Sequence, residues 1–270
     1  MQTYQLRLGT SIDFCSSKFY INLEKAKNLG FDTIDFDISG CWSEEEKENE
    51  YYRHLEEGME AVLKTGIPVN GVHISFGWNW DISETNEKKR VEVVNKISAM
   101  IQRTSVLSPY CYVLHGSFEP IAAEDRLAKI EAMKKSVFEL SSVTNKLLCL
   151  EDLPRTCLLN TSEEIVRVID EINLPNVKIC ADVNHFLQEK SEDAVLKMGD
   201  RIRTTHISDH DYENERHWLP GEGKIDWMKL IANFEKIGYQ GVFNYEARCS
   251  IEEKKENYIQ LFKQYNESRE

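Results

Sequence analysis

No stretch of about 18 consecutive apolar residues, the length a membrane-spanning helix needs, occurs in this chain. Its opening, MQTYQLRLGT, also lacks a basic start followed by an apolar core. Neither membrane insertion nor export is expected, and the chain reads as cytoplasmic. Closely spaced C-x-x-C cysteines are missing too. Cys15, Cys41, Cys111, Cys149, Cys157, Cys180 and Cys249 form no C-x-x-C pair, and several sit in apolar runs such as LLCLE and VKICAD. There Cys acts as a small buried hydrophobe, so neither a disulfide framework nor a thiolate zinc site is expected. Basic charge is scarce: 33 Lys and Arg face 46 Asp and Glu, a net charge of −13. The basic footprint on which nucleic-acid binding relies is absent, so no nucleic-acid partner is expected, although one local basic pocket stays open. The first apolar run leads into LGTSIDFCSS without a G-x-G-x-x-G turn, which disfavours an open doubly wound sheet. No Ser/Pro/Gly-rich linker or low-complexity tract divides the chain. With 41% apolar residues over 270 positions, residues 1–270 are expected to form a single domain.

What is present is a repeat. Eight runs read as strands buried on both faces: Leu6–Gly9, Phe31–Asp37, Pro68–Ile74, Cys111–His115, Leu147–Glu151, Val177–Asp182, Ile202–His206 and Val242–Glu246. They are nearly continuous in apolar character, as strands covered by helices should be. Helix-like stretches rich in Glu, Lys, Leu and Ala separate them. Ser43 with Glu46 reads as a capping box, and Gly30 and Gly66 fall where helices should stop. The polar tail QYNESRE reads as a frayed end. A strand-plus-helix unit of about 34 residues, eight times over, is what a (β/α)₈ TIM barrel needs. The fold class expected is therefore α/β, with the active site at the C-terminal ends of the strands.

Glu151, Asp182, His206 and Glu246 each lie at the C-terminal end of successive runs, so in a barrel they converge on the mouth. Three carboxylates and an imidazole suit one divalent ion such as Mn, Mg, Co or Zn. Such an ion acidifies a C–H bond between substrate oxygens. A single such residue is as readily a hydrogen-bonded core group, but four at equivalent strand ends favour a site. Asp182 is followed by His185, which is open to three roles: partner to a ligand, substrate-hydroxyl contact, or ligand to another metal, with the substrate contact preferred. Arg155 in EDLPR would bind a substrate anion or hydroxyl, or fix Glu151 by a salt bridge. In the seventh loop, Arg216 and His217 precede the Pro220–Gly223 turn and are assigned to the substrate side, while Glu222 and Asp226 read as turn and helix-start residues. His73 and His115 end the third and fourth runs and would contact a polyol or ligate further ions. Trp42, Phe76, Trp78 and Trp80 offer an apolar wall for a sugar's C–H face, or plain core.

These pieces, LEDLPR, ADVNH, THISD, LPGEGKID and FNYEA in this order, resemble the xylose-isomerase-like TIM-barrel superfamily of sugar and sugar-phosphate isomerases and epimerases, to which endonuclease IV is related. The resemblance covers the second half of the barrel. It implies that Glu151, Asp182, His206 and Glu246 bind one divalent metal. Glu151 and Glu246 would also carry the proton to and from the carbon next to the carbonyl, through a cis-enediolate held on the metal, with His185 and Arg216 on substrate hydroxyls. The substrate implied is a small sugar, sugar phosphate or cyclic polyol; a homo-oligomer is left open. Endonuclease IV is the rival. Its three-zinc ligand set is matched by His73, His115, Glu151, Asp182, His185, His206, His217 and Glu246, with Glu215 where that family has Asp. The charge of −13 ranks sugar chemistry first. An inosose dehydratase-like lyase stays open, and a barrel without turnover is disfavoured because both glutamates are present.

Overall fold

The computed structural model describes residues 3–39 and 48–269. Eight parallel strands join in the order β7-β6-β5-β4-β3-β2-β1-β8. They are β1 (Arg7–Asp13), β2 (Thr33–Asp37), β3 (Val69–His73), β4 (Cys111–His115), β5 (Leu147–Glu151), β6 (Val177–Asp182), β7 (Ile202–His206) and β8 (Val242–Tyr245). The two outer strands meet through a parallel bridge between Ile207 and Tyr245. Two hydrogen bonds reinforce it, Ile207 N–H to Asn244 O at 2.8 Å and Glu246 N–H to Ile207 O at 3.0 Å. The sheet is thus a nearly closed TIM barrel.

Among the described residues eight α-helices clothe it: α1 (Phe19–Asn28), α2 (Glu48–Thr65), α3 (Glu87–Thr104), α4 (Arg126–Ser141), α5 (Ser162–Ile172), α6 (Ser191–Met198), α7 (Trp227–Lys236) and α8 (Ile251–Glu267). Four of them, α3, α5, α7 and α8, start where a side chain satisfies a free N–H group of the first turn. Thr161 accepts from Glu164 N–H, Asp226 from Lys229 N–H, and Ser250 forms a full capping box with Glu253. α5 buries Ile165, Val168 and Ile169, a one-face spacing that only a helix can present to a sheet. Gly30 and Gly66 follow their helices in the left-handed region, φ +72° and +68°, as expected from their positions.

β4 to β7 match the expected runs end for end. β1 does not: it extends to Asp13, because Ser11, Ile12 and Asp13 pair with Asp35, Phe36 and Asp37. The C-terminal tail is also no frayed end. α8 runs into it as far as Glu267, with Tyr265 buried and Asn266 exchanging hydrogen bonds with both backbone groups of Tyr4. Five of the six described cysteines are free, and exposed Cys15 is disulfide-bonded, a bridge that the cysteine spacing did not point to. Trp42, Ser43 and Glu46 lie outside the described residues. No helix among those described is long and apolar enough to cross a membrane.

Register is what builds the mouth. His115 pairs with Glu151 and Asp182 with His206, so neighbouring strands deliver their last side chains side by side. Because alternate residues share a face, the residues two positions back, Val113, Cys149, Cys180 and Thr204, lie on the same face one layer deeper. Val113, Cys149, Cys180 and Cys111 form a small cluster separate from the main core.

Candidate metal centre

The four strand-end residues do meet. One ligand atom from each of Glu151, Asp182, His206 and Glu246 lies within 4.8 Å of all the others, close to the span that bonds of about 2.0–2.2 Å to a single ion permit. His206 Nδ1 sits 2.8 Å from Glu151 Oε1 and 2.8 Å from Glu246 Oε2. Asp182 Oδ2 and Glu246 Oε2 are buried, and the imidazole nitrogens beside them, His185 Nε2 at 3.3 Å and His206 Nδ1 at 2.8 Å, make no well-aligned hydrogen bond to them. Buried carboxylate oxygens so poorly satisfied are costly, and a divalent cation is the group that would satisfy both. The donor set therefore fits a hard or borderline ion.

The charge balance agrees. Burial opposes protonation of His206, but Cys180, Glu246 and Glu151 outweigh it and push its pKa well above the ordinary value. Burial likewise opposes the ionised Glu151, yet His206, His115 and His73 hold it well below the usual carboxylate range. Glu246 follows the same pattern and falls to about 2. Asp182, with burial dominant, rises to about 6. Without a metal, imidazolium protons thus balance the carboxylates, and metal binding must displace them.

Four further histidines ring this cluster. His73 and His115 place their Nε2 atoms 3.1 and 3.2 Å from Glu151 Oε2. His185 places Nε2 3.3 Å from Asp182 Oδ2 and 3.8 Å from Glu215 Oε2, while its Nδ1 is 2.7 Å from Asp152 O. His217 sets Nδ1 3.1 Å from Glu246 O. Asn184 holds the His217 strip by accepting the N–H groups of Arg216 and His217 at 3.2 and 3.4 Å.

Above the cluster opens a cavity of about 210 Å³ lined by His73, Phe76, His115, Phe118, Glu119, Glu151, Arg155, His185, Glu215, His217 and Glu246, among others. Of the four clustered residues only Glu151 and Glu246 face it; Asp182 and His206 are fully buried behind them. Phe76 stacks on His115 with ring centroids 4.2 Å apart, and Trp78 touches Phe118 at the rim. Trp80 is core. A wider groove between α1 and α2 carries no comparable group of ligands among the described residues.

Two arginines depart from expectation. Arg155 does line the cavity, but it pairs with Glu119 at 2.8 Å and with Glu215, not with Glu151. Arg216 does not line it. Its Nε donates to Asp211 Oδ2 at 2.6 Å and its guanidinium lies over the Trp218 ring, because a carboxylate five residues earlier in the same loop is nearer than the mouth. Arg155 and His217 both hold φ at 51°. Left-handed backbone in non-glycine residues is strained and concentrates where a rim must be shaped. Asp226 caps α7 and Glu222 accepts from Leu219 N–H, the helix-start and turn roles read from the sequence. Asp209 accepts from Gly221 N–H, Ile225 N–H and the Trp227 indole N–H and so ties down the turn.

Sequence reading missed Glu119 and Phe118, whose signal was an aromatic–acid pair just past a strand ending in His. It also missed Asp35 and Asp152, buried acids that no local pattern marks.

Residues 23–265 match the family described as xylose isomerase-like TIM barrel. The chain is 25% identical over 243 residues to 3-dehydro-D-guloside 4-epimerase of Escherichia coli (strain K12), covering 86% of this chain and 88% of that protein. It is 23% identical to the ketose 3-epimerase of Arthrobacter globiformis, over 85% of this chain and 77% of the relative. The crystal structure of a D-tagatose 3-epimerase-like protein superposes with a TM-score of 0.81 at 21% identity, covering 98% of this chain and all of that one (100%).

Proposed function

Since the chain belongs to the xylose isomerase-like TIM barrel family and is related to sugar epimerases, we propose that it is a divalent-metal-dependent epimerase or isomerase of a small, uncharged sugar or cyclic polyol. One observation carries this reading: of four clustered ligands, Glu151 and Glu246 alone reach the cavity. A cation held by Glu151, Asp182, His206 and Glu246 would polarise adjacent carbonyl and hydroxyl oxygens of a substrate. Glu246, its side chain 29% exposed where Glu151 is 1% exposed, removes the proton next to the carbonyl. Glu151 returns one. Both are held ionised in the metal-free protein, as the base must be; Glu151 takes up a proton from solvent before it returns one, and Glu246 gives its own back to solvent to close the cycle. His185 and His217 contact substrate hydroxyls, and Phe76 packs against the C–H face.

The substrate's charge follows from the rim. Among the described residues lining the cavity, Arg155 is the single guanidinium, and Glu119 and Glu215 already neutralise it. Arg216 is turned away, and Arg248 lines a separate surface pocket. A phosphate ester would meet two glutamates with no unpaired cation, whereas a free sugar offers hydroxyls to every group present. The cavity of about 210 Å³ lies below the ~300–1,000 Å³ of drug-sized sites, a monosaccharide's scale.

The test is turnover of a panel of free ketopentoses, ketohexoses and their phosphate esters by the metal-loaded protein. Epimerisation or isomerisation of a free sugar is expected; turnover confined to phosphate esters contradicts the substrate class. A second reading has one observation behind it. His73, His115 and Glu151 also group as ligands, which a three-zinc nuclease would need. Cleavage of duplex DNA at an abasic site by the zinc-loaded protein would replace the sugar reading.

A further inference from the structure

Barrel lumens of this fold are usually filled by bulky branched side chains, but β2 places a carboxylate there. Asp35 is fully buried. Its Oδ1 accepts from Asn70 Nδ2 at 2.8 Å and from Gly71 N–H at 2.8 Å. Asn70 occupies the shift in register between β2 and β3, where Ile34 pairs with Val69 but Asp35 with Gly71. Bulges of this kind re-aim a side chain near functional sites. Asn70 also donates across the lumen to Thr204 Oγ1 at 2.9 Å. Gly71 leaves the room this requires: a Cβ there would meet the Asp35 carboxylate at 2.8–3.1 Å. One oxygen is thus fully engaged. The other, Oδ2, has no hydrogen-bond partner, and neither has His206 Nε2. These two unpartnered atoms face each other at 3.5 Å.

We infer that Asp35 is a positioning residue for His206, accepting its Nε2–H and so turning the Nδ1 lone pair toward the ion site. The inference rests on the metal reading above. A neutral imidazole ligates through one nitrogen only if the other carries the proton, and the group accepting that proton selects the tautomer. Metal-bound histidines commonly have such a carboxylate partner. The ring spans the gap directly: Nδ1 faces Glu151 and Glu246 at 2.8 Å on one side, and Nε2 faces Asp35 on the other. A single hydrogen bond resolves both orphaned atoms.

Asp35→Asn tests this with nearly unchanged shape. It retains an oxygen for Asn70 and Gly71 but presents an NH₂ group to Nε2, favouring the tautomer with a proton on Nδ1. The full-length protein is titrated with Co²⁺ alone and followed by d–d absorption. Affinity is expected to fall about 10–100-fold in Asp35→Asn, with an altered spectrum, while Asn70→Ala, which spares the carboxylate, loses thermal stability but keeps the wild-type cobalt affinity and spectrum. Equal cobalt binding by wild type and Asp35→Asn overturns the role of Asp35 alone. So does an Asn70→Ala loss of affinity as large as that of Asp35→Asn. A wild type that binds no Co²⁺ overturns the metal reading with it. If Asp35→Asn does not fold, ring ¹⁵N spectra of the zinc-loaded wild type decide. A strongly downfield Nε2–H on His206 supports the pairing, and a resonance at the position of an unpaired imidazole N–H overturns it.

Discussion

Between the strands and the helices pack Phe36, Ile101, Leu230, Phe234, Phe243 and Phe262, all buried and apolar; inside the strands lie Asp35, Gly71, Cys149, Cys180, Thr204 and Asn244, small, polar or both. The outer shell is the ordinary core of an α/β protein, in which aromatic rings such as Phe243 and Phe262 meet 5.3 Å apart. The lumen gives up apolar burial and keeps hydrogen-bonding groups that aim the mouth residues above them. Burying that polarity is worthwhile only where geometry matters more than stability. The shell therefore carries the fold, and the lumen carries the site.

The division is broken most severely by removing metal. Chelation is expected to abolish turnover while far-UV circular dichroism stays native, with activity restored by a divalent ion; loss of the fold on chelation would show that the lumen also carries stability. Next comes the shell. Phe243→Ala should cost about 3–5 kcal/mol of unfolding free energy, a large part of the ~5–15 kcal/mol a domain has, and leave metal affinity unchanged when measured below the new melting temperature.

A smaller effect is expected from pH on the metal-free protein. Burial opposes the protonation of His73 and His185, but Glu151 in the first case and Asp182 with Glu151 in the second raise both pKa values from 6.5 to about 9. A raised folded pKa gives stability that is complete below pH 6.5 and lost as pH rises through 9. The melting temperature of the metal-free protein should fall across that window, and bound metal should remove the fall. A flat profile would show that these imidazoles do not balance the carboxylates. The smallest change is expected from Arg216→Ala: with its guanidinium on Asp211 and Trp218, kcat/KM should stay within about twofold, well under 1 kcal/mol of barrier.

The same division explains what was legible in the sequence. β4 to β6 were readable to the residue because their outward faces are shell and their last inward residue is polar, so an apolar run ends abruptly at His115, Glu151 and Asp182; β7, Ile-Arg-Thr-Thr-His, has one apolar residue and was readable as β-branched threonines closed by His206. β1 was cut short because Ser11 and Asp13 interrupt its apolar character, although the backbone continues in register with β2. The tail was misread for a long-range reason: Asn266 is held by Tyr4, at the other end of the chain. Arg216 was misplaced because a basic residue before a turn looks the same whether it faces substrate or Asp211. Asp35 left no trace, since its meaning depends on His206, Asn70 and Gly71 meeting in the lumen.

The central claim, that Glu151 and Glu246 are both ligands and proton carriers, is tested most directly by hydrogen exchange at the substrate carbon. Wild type and Glu246→Gln, each with metal content verified, are incubated in D₂O with the free sugar that wild type turns over. Deuterium should appear next to the carbonyl with wild type and be slowed about 10²–10⁴-fold in Glu246→Gln. Exchange at the wild-type rate by a metal-loaded Glu246→Gln protein would contradict the account.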